Sequence, residues 1–234
     1  MRGYTVKIVK IDMLELNAAI ASDGFGFLSE CLGPDLLALL QLEFPATSGP
    51  QRDLLALPSV QALARSAAVR NAVEAVLGGS RFAVRGLFFN KTPEANWKVS
   101  WHQDLTISVR AQKDVPGFTS WSMKAGAVHV QPPPEILERM LALRIHLDDS
   151  TTENGPLRCV PGTHVRGRLS AQEIAQTDKS TATTCCLPAG DALLVRPLVV
   201  HASSKWALPM PRRVIHLEFA DIELPHGLRW RDKV

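Results

Sequence analysis

The sequence predicts a mainly β protein with flanking helices, its core built like a jelly roll, and three observations lead there. From residue 82 onward, short runs with strand character recur between turn residues, at the intervals expected of a sandwich or barrel. Before residue 80, apolar residues fall at helical spacing instead. No internal repeat or low-complexity linker separates the two regions, and 234 residues suit one full-sized core. One domain is therefore expected over 1–234, helical over 1–80 and jelly roll over 82–220.

In chain order, Thr5 to Val9 alternates with lysines and reads as a first strand, and Leu14 to Ala21 as a short helix. Gly24 to Leu28 is a turn and strand. It lacks the third glycine of a dinucleotide fingerprint, which excludes a Rossmann unit. Pro34 to Glu43 is a helix with proline in its first turn, and Pro45 to Arg52 is a loop. Val60 to Leu77 is apolar at helical spacing and closes on Gly78-Gly79 in the manner of a C-cap. These helices are expected on the outside of a sheet. The strands expected next are Phe82 to Phe89, Trp97 to Trp101, Thr106 to Val109, Leu141 to Leu147, Leu157 to Val160, Ala192 to Val195 and Val214 to Phe219. Three prolines at 132–134 start a helical turn that runs to Met140.

Composition narrows the function classes. Hydrophobic residues make up 46% and charged ones 21%, as in ordinary soluble globular proteins. A net charge of +3 without a Lys/Arg block implies no nucleic-acid partner. No apolar run approaches the roughly 18 residues of a membrane span, and the first residues lack the apolar core of a signal peptide. The cysteines at 31, 159, 185 and 186 show no Cys-x-x-Cys spacing, which suits reduced thiols in a cytoplasmic protein.

The informative stretch is Trp101-His102-Gln103-Asp104. In an extended chain, His-x-Asp projects an imidazole and a carboxylate to one face. With the distant His201 they would make a 2-His-1-carboxylate set that leaves positions open on a metal, as in non-haem Fe(II) oxygenases. The motif alone is weak, because His146-x-Asp148 is a second match. Position favours the first pair, which ends a polar stretch. The second sits mid-strand, where Arg144, His146 and Asp148 share a face expected to line a cavity. Asn154 to His164 holds two turns around a short strand and reads as a hairpin arm, with His164 holding the loop. In the last strand Arg212, Val214, His216 and Glu218 face one way and Arg213, Ile215, Leu217 and Phe219 the other. An inward arginine needs an anion, and a dicarboxylate would meet it through a bidentate fork.

His-Gln-Asp after Trp, the stretch from Asp148 to His164, the Gly190-Asp191 turn, and His201 with Arg212 eleven residues on together resemble the phytanoyl-CoA dioxygenase superfamily. The resemblance runs from about residue 82 to 220. It implies a double-stranded β-helix of the cupin-like, jelly-roll kind and oxidation driven by Fe(II), 2-oxoglutarate and O2. It places His102, Asp104 and His201 on iron and Arg212 on the distal carboxylate of 2-oxoglutarate, with Arg213 in that role if the register shifts by one. Trp121 stands where some relatives hold a tryptophan near the cosubstrate. Relatives often carry a hydrophobic residue where this chain has His146. Arg144 and His146 are thus candidates for substrate contact, as are His129 and Gln131. Halogenases of the family replace the carboxylate by a small residue, so Asp104 implies hydroxylation or a related oxidation.

Two other classes fit the same residues: a jelly-roll binding protein that holds a metal without turnover, and a cupin-like isomerase or hydrolase using zinc or manganese. Arg212 separates them from the oxygenase, which alone requires a cation set for a dicarboxylate. Desaturation, epimerisation and ring formation would use the same residues as hydroxylation. Arg85, Lys98 and Arg144 suggest an acidic or zwitterionic small-molecule substrate, such as an amino acid or carboxylated metabolite. No pattern in the chain specifies an oligomeric state.

Overall fold

The computed structural model describes residues 13–79, 81–91, 98–205 and 210–234. The expected strand at Thr5 to Val9 lies outside them. Helix α1 (Met13–Asp23) buries Leu16 and Ile20, four residues apart on one face. It ends at Gly24, whose φ of +85° suits a residue without a side chain. A Cβ there would come within 2.4 Å of Val199 and 2.5 Å of the His164 ring, so the glycine also permits close packing. Strand β1 (Phe25–Leu28) follows, then α2 (Pro34–Glu43), with proline in its first turn as expected.

After β2 (Gln51–Arg52), the helix expected over Val60 to Leu77 is two helices, α3 (Pro58–Ala64) and α4 (Ala67–Leu77). The break falls at Arg65-Ser66. There the Ser66 hydroxyl accepts from the Val69 amide at 3.5 Å and starts a new helix. Apolar periodicity runs through both and conceals the cap. Gly78 closes α4, its amide donating to the Glu74 carbonyl.

The β region comprises β3 (Phe82–Lys91), β4 (Val99–His102), β5 (Ile107–Val109), β6 (Thr119–Lys124) and β7 (Ala127–Gln131). A single turn, α5 (Pro134–Leu137), leads to β8 (Met140–His146) and β9 (Leu157–Cys159). Helix α6 (Ala171–Gln176) carries a capping box between Ser170 and Glu173. Strands β10 (Thr183–Cys185), β11 (Ala192–Val195), β12 (His201–Ser203) and β13 (Arg212–Ala220) complete the set.

Their pairing is antiparallel throughout and makes a six-stranded sheet in the order β1-β11-β8-β13-β3-β2, a four-stranded sheet β10-β9-β12-β4, and a small sheet β5-β7-β6. The first two form the facing walls of the expected jelly roll. Leu143, Ile145, Ile215 and Leu217 line the outer face of the large sheet and pack under the helices. Ala142, Leu193 and Val195 on its inner face meet Leu157, Cys159 and Cys185 of the smaller sheet. The third sheet packs Ile107, Val109 and Val130 with Trp230 in a separate cluster.

The sheet order overturns one further expectation and adds a hairpin. Residues 154–164 are not a hairpin arm, because β9 lies between β10 and β12, both distant in sequence. The β6–β7 hairpin was not foreseen. Its turn, Ala125-Gly126, has positive φ at both residues, the geometry that joins two twisted strands.

Arg213 ties the large sheet to the helices. Its Nε and Nη2 donate to Asp148 at 2.8 and 2.6 Å, and Nη1 donates to the carbonyls of Gln41 and Phe44. Truncating Asp148→Ala leaves that guanidinium in a largely buried place without its counter-charge. Thermal and urea unfolding should then show a loss of about 3 kcal/mol.

Candidate metal centre

Strands β4 and β12 pair so that His201 lies directly opposite His102. Their rings stand 4.3 Å apart, centroid to centroid. Asp104 follows just past the end of β4, its amide donating to the Pro197 carbonyl at 2.9 Å. The three side chains thus converge, each offering one donor atom, with all three donors within 4.8 Å of one another. The Asp104 oxygens lie 3.7 Å from His102 Nε2 and 3.6 Å from His201 Nε2. Those separations are too long for hydrogen bonds. The donors therefore leave one another unsatisfied and free to converge on a cation.

The rest of each imidazole is already committed. Nδ1 of His102 faces the Ser100 carbonyl at 2.8 Å, and Nδ1 of His201 faces the Val199 carbonyl at 2.9 Å. A carbonyl only accepts, so each Nδ1 carries the proton and each Nε2 presents a lone pair inward. Burial pushes the His201 imidazole down to about 4 and keeps it neutral despite Asp104. Partial burial would raise Asp104, but His201 and His102 more than offset it and hold the carboxylate well below its usual range. Partial burial would lower His102, but Asp104 outweighs it and raises that imidazole above its usual value. Two imidazole nitrogens and one carboxylate form a donor set that fits Fe(II).

Gln103, between the two motif residues, turns the other way and is buried. Its amide donates to the Gly167 and Leu198 carbonyls at 2.9 and 2.7 Å and accepts from Leu169 at 2.8 Å. Thr163 acts similarly. Its hydroxyl bridges the Val160 carbonyl and the Val200 amide, fixing the approach to His201. His164 is half-buried and, although its Nδ1 has no partner among the described residues, its ring hydrogen-bonds the Ala21 backbone and so ties the loop to α1, as expected of it.

The centre opens into a cavity of about 290 Å³. Across it stand cations. Arg212 is 4% exposed, and its Nε has no hydrogen-bond partner among the described residues. Burial and the nearby Arg144 push it down to about 9. Directly opposite Arg212 in the sheet is Lys91, 2% exposed, whose Nζ donates to Ser203 Oγ at 3.4 Å and to the Ser204 carbonyl. Burial, Arg212 and Arg144 lower it to about 8. Among the described residues no carboxylate pairs with either.

The sequence of one family accounts for this arrangement. The model of the phytanoyl-CoA dioxygenase (PhyH) family matches residues 46–214, and the chain belongs to that family. Membership places it among the Fe(II)/2-oxoglutarate-dependent oxygenases. Solved structures share the fold. EctD from S. alaskensis with bound Fe is 19% identical, with 98% of this chain and 87% of that chain covered and a TM-score of 0.69. HygX from Streptomyces hygroscopicus, with nickel and 2-oxoglutarate bound, is 16% identical, covering 88% of this chain and 85% of that one at a TM-score of 0.65. SnoN, a non-heme alpha ketoglutarate dependent epimerase from nogalamycin biosynthesis, is 16% identical, covering 89% and 80% at a TM-score of 0.67. No curated protein matches the chain by sequence.

Of the other candidate residues, the structure brings Arg144 into the cavity wall beside Arg212 and His216. It does not bring His146, which is buried beyond it with Nδ1 unpartnered, nor Asp148, which is held by Arg213. Arg213 itself faces away from the cavity. Trp121 packs half-buried against the cluster around Trp230. His129, with Nδ1 bonded to the Ala127 carbonyl, and Gln131, which accepts from Ser120, belong to the small sheet and do not line the cavity. Lys98 is exposed and outside the lining. Sequence reasoning missed Lys91 and Ser203. The signal for Lys91 was strand parity, since it shares a face with Arg85 and stands opposite Arg212.

Lys91 makes stability depend on pH. Its charged form is disfavoured in the fold, with a pKa near 8 against 10.5 for a free lysine. The folded chain therefore loses that proton first, and stability rises relative to a chain without the lysine as pH climbs from 8 to 10.5. Without added anion, Lys91→Met should show its greatest relative stability below pH 8 and lose that advantage towards 10.5, read as unfolding midpoints across the range.

Proposed function

We propose that this chain is an Fe(II)/2-oxoglutarate-dependent dioxygenase, using O2 to hydroxylate an unactivated C–H of a small molecule held in the cavity. The observation that carries the reading is the His102-Asp104-His201 cluster facing, across one void, the cations Arg212 and Lys91, which no carboxylate pairs among the described residues. His102, Asp104 and His201 would hold the metal on one side and leave the opposite side open. Arg212 would fork onto the distal carboxylate of 2-oxoglutarate, with Lys91 adding a second positive charge. Fe(II), once bound, would supply O2 activation coupled to oxidative decarboxylation of 2-oxoglutarate to succinate and CO2.

The chain contributes orientation and shelter. Gln103 and Thr163 fix the backbone on either side of the ligands, while Leu87, Phe89 and Leu157 give the cavity an apolar wall that limits water. The carboxylate of Asp104 occupies a place that halide would need, which supports hydroxylation over chlorination. Helices and β walls together form the single domain that carries this activity.

Anaerobic addition of Fe(II) and 2-oxoglutarate to the metal-free protein tests the assignment through the visible charge-transfer band of the chelate. Wild type should develop the band, and His102→Ala should not. Arg212→Met should require at least about tenfold more cosubstrate, the loss expected for a charge-assisted pair. A folded wild type that shows no band would rule the oxygenase out.

A further inference from the structure

The cavity holds more positive charge than a metal and 2-oxoglutarate can use. Lys91, Arg144 and Arg212 stand on its wall, and the exposed Arg52 and Lys124 also line it. The lining offers two carboxylates, Asp104 and Glu218, among the described residues. Asp104 belongs to the metal cluster. Glu218 already accepts from Arg85 at 3.1 Å and from His216 at 3.2 Å. Of the two carboxylates of 2-oxoglutarate, one falls to the metal and one to Arg212 with Lys91. Arg144 is left without an anion, and an unpaired cation in a half-buried wall is costly.

Arg144 is also held in place. Its Nη1 donates to Nδ1 of His216 at 3.1 Å, because a guanidinium cannot accept. That sets the His216 tautomer, so Nε2 carries the proton and donates to Glu218. The guanidinium lies over the Phe89 ring, 5.2 Å from its centroid. Its Nε is buried with no hydrogen-bond partner among the described residues. Fixed on one edge and unsatisfied on another, it has the preorganised fork that recognises a planar or tetrahedral acid group.

Resting on the oxygenase reading, we infer that the primary substrate is an organic anion, a small molecule bearing a carboxylate or phosphate, and that Arg144 binds its acid group. Arg52 and Lys124 draw the anion into the cavity, and neither makes an ion pair among the described residues. Arg144 is then a specificity-determining residue, distinct from the cosubstrate clamp.

Fluorine NMR tests this without knowledge of the substrate. Trifluoroacetate serves as the anion probe and trifluoroethanol as its neutral counterpart, added to protein loaded with Zn(II) and 2-oxoglutarate. Trifluoroacetate should show saturable line broadening and trifluoroethanol none. Arg144→Gln should weaken trifluoroacetate binding about tenfold or more, with Arg144→Lys retaining part of it. The cosubstrate needed for half the Fe(II) chelate band should stay within about twofold of wild type in both variants, against the tenfold set for loss of a clamp residue. Equal behaviour of the two probes, or trifluoroacetate binding indifferent to Arg144→Gln, would overturn the inference. So would a cosubstrate requirement raised as far as in Arg212→Met, which would make Arg144 part of the clamp. A wild type that forms no chelate band defeats the oxygenase reading instead. Trifluoroacetate titrated without cosubstrate into wild type and Arg144→Gln then decides separately whether Arg144 binds anions.

Discussion

Strand parity along β13 is the constraint on which the rest of the molecule depends. Alternate residues send Arg212, His216 and Glu218 to the cavity and Arg213, Ile215 and Leu217 to the helices. A slip by one residue would exchange the two sets, placing aliphatic side chains in the polar void and three polar ones under the helices. The register is held on both sides, by β3 along Arg212 to Ala220 and by β8 along Val214 to Ala220. Arg213 adds a lock that works only in this register. Its fork meets Asp148 at the end of β8 while its other nitrogen reaches the carbonyls of Gln41 and Phe44.

The two walls divide the work. The candidate metal ligands come from the four-stranded sheet and the turn beyond it, and the cations Lys91, Arg144 and Arg212 from the six-stranded sheet. This division sets like charges together on one wall. Lys91 and Arg212 are each lowered by burial and by neighbouring cations. The cost is borne by the folded chain until an anion arrives, so a dicarboxylate should stabilise the fold as well as fill the site. Strain of this kind, tolerated at one place and offset by a large apolar core elsewhere, is where a binding site differs from packing.

Much of this was legible in the sequence, and the failures have physical causes. The helix at Pro34–Glu43 and the strand at Ala192–Val195 begin and end where proline, glycine and apolar runs indicate. The α3–α4 break was hidden because Ser66 interrupts neither the apolar periodicity nor the composition. Strand β6 was hidden because Thr119–Lys124 is half-exposed along its length and carries no buried face to read. At the site, His-x-Asp was ambiguous until contacts separated the two copies. One pair converges on His201, while in the other His146 is buried away from the void and Asp148 is held by Arg213. Lys91 escaped notice because a lysine closing an apolar strand reads as a solubilising end. Only its pairing opposite Arg212 reveals it as buried.

Arg85 and Arg144 show why counting cations from sequence is insufficient. Both point to the cavity from strands that flank β13 in one sheet, yet their electrostatic states differ. Arg85 meets Glu218 directly, which cancels most of its charge locally. Arg144 reaches the same carboxylate only through the His216 ring, so its charge is offset weakly and remains available. The neutral imidazole between them transmits position more than charge, aiming the guanidinium while leaving its field in the void. Selection of the substrate can thus reside in residues of the large sheet, with the donor cluster on the opposite wall left unaltered. One fold can in this way present the same metal chemistry to chemically different molecules.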